Sequence, residues 1–150
     1  ASNPRTPSKA LVRLADDKRW EVRTEVALNQ NSGSKVLDAL ALDGHMAVRT
    51  AVALNPKAPS SALRRLAKDK SSVVRLRVAE NRSAPAGVLR RLSSDDDRDV
   101  RRAAGEKLKA QTREYFGYYD DLPAGERAHA RGRRPSGHRA AGRGRWNRRD

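Results

Sequence analysis

The residues best equipped for chemistry in this chain are arginines. Arg64, Arg65, Arg90 and Arg91 form two adjacent pairs set 26 residues apart. A guanidinium presents a planar fork of donors that fits phosphate and carboxylate oxygens, and it stays charged at every physiological pH. Two such pairs, repeated at a structural period, place four cations on matching turns of neighbouring elements, which suits contact with phosphates. Lys68, Arg77 and Arg102 are candidates to extend that patch. A second concentration lies near the C-terminus, where nine arginines and no acidic residue fall between Arg127 and Arg149. Within "ARGRRPSGHRAAGRGRWNRR", Arg131, Arg133, Arg134, Arg143, Arg145 and Trp146 are the candidate contacts to RNA or single-stranded DNA. Their forks would meet phosphate, and ring and guanidinium planes would lie against bases.

Catalytic groupings are not legible. The three histidines, His45, His129 and His138, are scattered, and none stands in a His-Glu pair. "GRGR" has no strand or helix context that would make it a phosphate loop. Only Ser or Asp could act as a nucleophile, and no base is placed beside one. The chain has no cysteine, which removes disulfides, thiol catalysis and Cys-ligated zinc or iron–sulfur centres. The expectation is a chain without catalytic residues, metal, cofactor or small-molecule substrate.

Composition points the same way. The chain is 34% charged with a net charge of +15, and a balance this basic favours a polyanion: nucleic acid, an anionic membrane or an acidic protein. Apolar residues make up 37% and aromatics only 4%, so any core is thin and built from Leu, Val and Ala. No apolar run reaches the length of a membrane-spanning helix. "ASNPRTPSK" holds no apolar stretch that could serve as a signal peptide. A cytoplasmic location is expected.

The elements that must carry these residues follow from a repeat. At a period of 26, Asn3, Asn29, Asn55 and Asn81 align. So do Leu11, Leu37, Leu63 and Leu89, and Leu14, Leu40, Leu66 and Leu92. Asp17, Asp43, Asp69 and Asp95 form an unbroken column. Val22, Val48, Val74 and Val100 form another, beside Arg23, Arg49, Arg75 and Arg101. Val26, Val52 and Val78 continue as Ala104, and Ala27, Ala53 and Ala79 as Gly105. Self-similarity at this period means a stacked solenoid. Each unit reads as two short helices. Pro7, Pro59 and Pro85 stand where a first helical residue would, with Thr6 as one N-cap and Ser32-Gly33 as a weaker start in the second unit. The Asn column stops the second helix and turns the chain. Neither segment is long enough to be stable alone, so unit must stack on unit.

"VALNPKAPSSALRRLAKD" and "VAENRSAPAGVLRRLSSD" resemble the leucine-rich repeat variant family in both order and spacing, over roughly residues 1 to 106. That resemblance implies an all-α, right-handed α-solenoid of alternating α and 3₁₀ helices without strands. A more distant likeness is to HEAT repeats, which also pair an Asp with an Arg six residues on. Asp17–Arg23, Asp43–Arg49, Asp69–Arg75 and Asp95–Arg101 keep that spacing, and are expected to form a structural ladder of bonds to backbone or to the next unit. Neither family has one shared activity.

The organisation expected is a solenoid over 1–106, a helix end with an aromatic cap over 107–123, and an Arg-rich disordered tail over 124–150. Tyr115, Phe116, Tyr118 and Tyr119 are expected to seal the open end of the stack. Trp20 and Met46 are expected to pack near its first end. The tail offers almost no apolar side chain to bury. Residues 1–108 carry 22 basic and 13 acidic groups and residues 109–150 carry 11 and 5, so both parts contribute charge. Ala1 to Pro4 align with Ala53 to Pro56, so the chain is expected to open on the last residues of a preceding unit, either after loss of Met or as part of a longer protein. The functional expectation is a non-catalytic scaffold binding nucleic acid. The alternative is a protein–protein scaffold using the solenoid face, with an upstream domain carrying the activity.

Overall fold

The computed structural model describes residues 7–120, with side chains through Arg113. Within that range the structure is helical and contains no strand. Four short helices alternate with four longer ones: α1 (Ser8–Leu14), α2 (Trp20–Leu28), α3 (Ser34–Leu40), α4 (Met46–Leu54), α5 (Ser60–Leu66), α6 (Ser72–Glu80), α7 (Ala86–Leu92) and α8 (Arg98–Asp120). Start points recur every 26 residues, at Ser8, Ser34, Ser60 and Ala86 and at Trp20, Met46, Ser72 and Arg98. Residues to Arg113 form one compact unit. Residues 114–120 continue α8.

Why each helix begins where it does is visible in the caps. Pro7, Pro59 and Pro85 are extended, with ψ of 143°, 153° and 147°, and stand at the N-cap rather than at the first helical position. Their carbonyls accept the first helical bonds, as in Leu63 N to Pro59 O at 3.1 Å. Gly33 does the same for α3. Pro needs no N–H there, and its fixed φ suits the entry. The longer helices start after the Asp column. Asp17, Asp43, Asp69 and Asp95 each accept, through Oδ1, the N–H of the residue two places on, at 2.8–2.9 Å. They end at Asn29, Asn55 and Asn81, which are extended with ψ of 121–129°.

The resemblance implied 3₁₀ geometry for the second segment of each unit. These segments are α-helices of nine residues, with i→i−4 bonds such as Asn55 N to Ala51 O at 3.1 Å. Nine residues exceed the run that 3₁₀ geometry usually sustains. The last helix is longer for a local reason. Lys107 stands where the Asn column would end it, and Gln111 where Pro59 and Pro85 open the next helix. Both are good helix formers, so α8 runs on across the expected boundary at 106. Gln111 also donates from Nε2 to Ala84 O at 3.1 Å.

The core is a column of small apolar side chains threaded between the helices. Leu11, Leu37, Leu63 and Leu89 are fully buried, as are Val26, Val52, Val78 and Ala104. Within the stack α2 packs on α4, and α4 on α6. Among the described residues, no buried side-chain N or O lacks a hydrogen-bond partner.

Candidate functional site

Two sets of arginines emerge, and their donors decide what each can do. The first set is the Arg column. Arg23 donates from Nε and Nη2 to both carboxylate oxygens of Asp43, at 2.6 and 3.0 Å. Arg49 does so to Asp69 at 2.6 and 3.2 Å, and Arg75 to Asp95 at 2.8 and 2.8 Å. Each carboxylate lies 20 residues ahead, in the next unit. The remaining nitrogen, Nη1, turns back to the Asp carbonyl of its own unit: Asp17 O, Asp43 O and Asp69 O, at 2.7–2.8 Å. One guanidinium thus ties the turn of its own unit to the turn of the next. Arg101 repeats the inner half of this pattern, with Nη1 on Asp95 O at 2.6 Å and Asp96 O at 2.8 Å. At the other end Asp17 is held by Arg19, Nε to Oδ1 at 3.1 Å.

The charges respond to these contacts. Burial pushes the Asp43 and Asp69 carboxyls up, but the bonds from Arg23 and Arg49, with a backbone N–H each, hold both below the usual carboxylate range. Arg75 is the main influence on Asp95 and holds it below that range too. The Asn column adds a second tie in the opposite direction. Asn55 Nδ2 donates to Ala27 O at 2.7 Å and Asn29 O at 3.2 Å, and Asn81 Nδ2 to Ala53 O and Asn55 O at 2.6 and 3.0 Å. The sequence suggested only a helix stop for these residues. The burial of Asn55, 1% exposed, is the sign of the further role.

The second set is on the short helices. Arg64 and Arg65 lie on the last turn of α5, and Arg90 and Arg91 on the last turn of α7. All four are exposed and make no ion pair among the described residues. Arg64, Arg65, Lys68 and Arg91 line an open groove of ≈ 790 Å³ between α5 and α7, over Ala67, Pro85, Gly87 and Val88. No acidic side chain lines it, and a Cβ placed on Gly87 would meet open space. Arg90 lines the adjoining groove with Lys68 and Arg91, where Asp69, Asp95 and Asp96 also stand. The four arginines are therefore divided: Arg64 and Arg65 line the cationic groove, Arg90 the one with carboxylates, and Arg91 both. Arg77 and Arg102 do not extend the groove. They lie on α6 and α8 and pair with Glu80 at 2.7 Å and Asp99 at 3.2 Å. Arg131, Arg133, Arg134, Arg143, Arg145 and Trp146 lie outside the described residues, and the rings of Tyr115 to Tyr119 outside the described side chains.

Trp20 and Met46 are not packed away. They are 39% and 47% exposed, and Trp20 stacks on His45 with ring centroids 4.2 Å apart. Among the described residues, no group of three or more His, Asp and Glu side chains is placed to hold a metal ion. No described helix is long and apolar enough to cross a membrane.

Stacked two-helix units with ladders along both edges define a helical repeat scaffold. Residues 47–71, from α4 to the N-cap of α6, match the family model described as leucine rich repeat variant. On that stretch the chain carries a leucine rich repeat variant unit, and the neighbouring units share its columns. No curated protein and no solved structure matches the chain.

Proposed function

We propose that the chain is a non-catalytic repeat scaffold of the cytoplasm that binds nucleic acid. The contacts are the α5–α7 groove and the Arg-rich C-terminal segment, with Arg131, Arg133, Arg134, Arg143, Arg145 and Trp146. One observation carries this reading: among the described residues, four cations line a groove that no acidic residue lines, and none of the four is spent in an ion pair. A net charge of +15 adds long-range attraction for a polyanion. The absence of cysteine supports a reducing compartment.

Fluorescence anisotropy with labelled single-stranded RNA, single-stranded DNA and duplex DNA tests it, from low to physiological salt. Four to six phosphate contacts give a slope of log K against log salt of about −3 to −5. Changing Arg64, Arg65 and Arg91 to Glu should abolish binding at physiological salt. Changing the five tail arginines to Ser should weaken binding and flatten the slope. Binding seen only at low salt and indifferent to the groove would reduce the interaction to bare charge attraction. A second reading, a protein–protein scaffold, is favoured by the half-exposed Trp20 and Leu28 on α2 and Met46 and Leu54 on α4.

A further inference from the structure

The sequence of α4, "MAVRTAVAL", holds one charged residue in a chain that is 34% charged. That residue, Arg49, is buried and bound to Asp69 and to backbone. The outward side of the helix is therefore uncharged: Met46, Ala47, Thr50 and Leu54. Met46 and Leu54 are 47% and 48% exposed, and on α2 their equivalents, Trp20 and Leu28, are exposed as well. Scattered exposed leucines are ordinary, but large apolar groups gathered on two adjacent helices mark an interaction surface.

We infer that this face of α2 and α4 is a docking site for an amphipathic α-helix of a partner protein, one that carries Lys or Arg toward one end. The first argument is shape. Trp20 and Met46 form one row and Leu28 and Leu54 a second, with Thr24, Ala47 and Thr50 between them and Glu21 at the α2 margin. Eight residues separate the rows, about 12 Å along the helix axis, which matches the diameter of about 10–12 Å of a helix with its side chains. Large residues thus rim a floor of small ones.

The second argument is that the site asks for no polar partner in its centre. Thr24 and Thr50 spend their hydroxyl protons on their own helices, donating to Trp20 O at 2.9 Å and Met46 O at 2.8 Å. The rim is also held in place before any partner arrives. Trp20 is stacked on His45, and Met46 Sδ accepts from Ser71 Oγ at 3.2 Å. Side chains already fixed lose less freedom on binding.

The third argument is charge. On α2 the position equivalent to Ala47 is Glu21, which is exposed and, among the described residues, in no ion pair. On α6 Arg77 pairs with Glu80 at 2.7 Å and Arg75 with Asp95 at 2.8 Å. In a chain of net charge +15, the charged side chain that this face carries among the described residues is Glu21, at its α2 end. A helix with an apolar stripe and a basic end is complementary to both features. The site is independent of the proposed nucleic-acid contacts, since none of its residues lines the α5–α7 groove.

A display library of helical peptides about 15 residues long, near 22 Å, tests the inference. The library is selected on the full chain and counter-selected on a Met46→Glu/Leu54→Glu variant. Both side chains are exposed, so the variant should keep the parent's circular dichroism and its nucleic-acid affinity. Enriched peptides should carry apolar residues at i, i+3, i+4 and i+7 and Lys or Arg at one end. They should bind the variant at least roughly ten-fold more weakly. In a Trp146→Phe background they should shift Trp20 emission to the blue. Glu21→Lys should weaken the same peptides and select acidic-ended ones instead. Peptides that bind parent and variant alike, that lack an apolar stripe, or that never enrich would overturn the inference. So would tighter binding of the parent, relative to the variant, to uncharged phosphatidylcholine vesicles without any peptide, which would assign the face to lipid.

Discussion

Arg49 and Arg65 lie on consecutive helices and present the same guanidinium, yet they serve opposite ends. Arg49 has spent its fork: Nε and Nη2 go to Asp69, and Nη1 to Asp43 O and Gly44 O. Arg65 and its neighbour Arg64 project into an open groove and make no ion pair. The difference follows the repeat. Arg49 belongs to a position that is Arg in all four units, because every interface needs the same tie. The position of Arg64 reads Val12, Asp38, Arg64 and Arg90, and that of Arg65 reads Arg13, Ala39, Arg65 and Arg91. Such positions are released from stacking and can specialise. In the second unit the same surface carries Asp38, which accepts from Ser61 Oγ at 2.6 Å, so the cationic groove is local to α5 and α7.

Side chains committed to stacking should fail by unfolding, and side chains released from it only by losing a partner. The largest effect belongs to Asn55→Ala. It strips donors from the buried Ala27 and Asn29 carbonyls and an acceptor from Lys57 N. The expected loss is about 3 kcal/mol, read as a lower urea midpoint. Arg49→Ala should follow at about 2 kcal/mol, less than for a fully buried ion pair because the rung stands at the edge of the core. Arg49→Lys should recover only part of this, since an ammonium cannot span Asp69 and two carbonyls at once.

Acid gives the next effect. Asp43, Asp69 and Asp95 are held below the usual carboxylate range of about 3.9. The rungs therefore contribute in full above that value, and the contribution is lost as pH falls through the lowered folded values. Stability should be flat in this respect from neutrality to about pH 5 and fall below about pH 4. Part of that fall should vanish in Arg49→Ala. Arg64→Ala/Arg65→Ala should be the smallest in denaturation, within about 0.5 kcal/mol, while lowering nucleic-acid affinity. A stability loss there as large as at Arg49 would erase the distinction between the two sets.

Much of this architecture is legible in the chain. The period of 26, the two helices per unit and the buried Leu and Val columns follow from spacing, because each helix must turn the same face to the same neighbour. Other features depend on three dimensions. The six-residue step from Asp17 to Arg23 is plain in the sequence, but the carboxylate that meets Arg23 is Asp43, 20 residues ahead. Which Asp is in reach depends on how one unit is rotated onto the next, and spacing does not encode that. For the same reason Arg90 is separated from Arg64 and Arg65, while Arg91 lines both grooves.

The outward face of α4 was readable in principle, since "MAVRTAVAL" is the least charged of the long helices. Its meaning turns on Arg49, whose charge counts against an apolar face until the fold is seen to bury it. The sequence by itself determined which residues stack, because stacking repeats identically in every unit and so leaves a periodic trace. The tertiary structure decided which side chains remain available. Availability depends on whether a neighbouring unit has consumed a donor or covered a surface, and neighbours in space leave no fixed spacing along the chain.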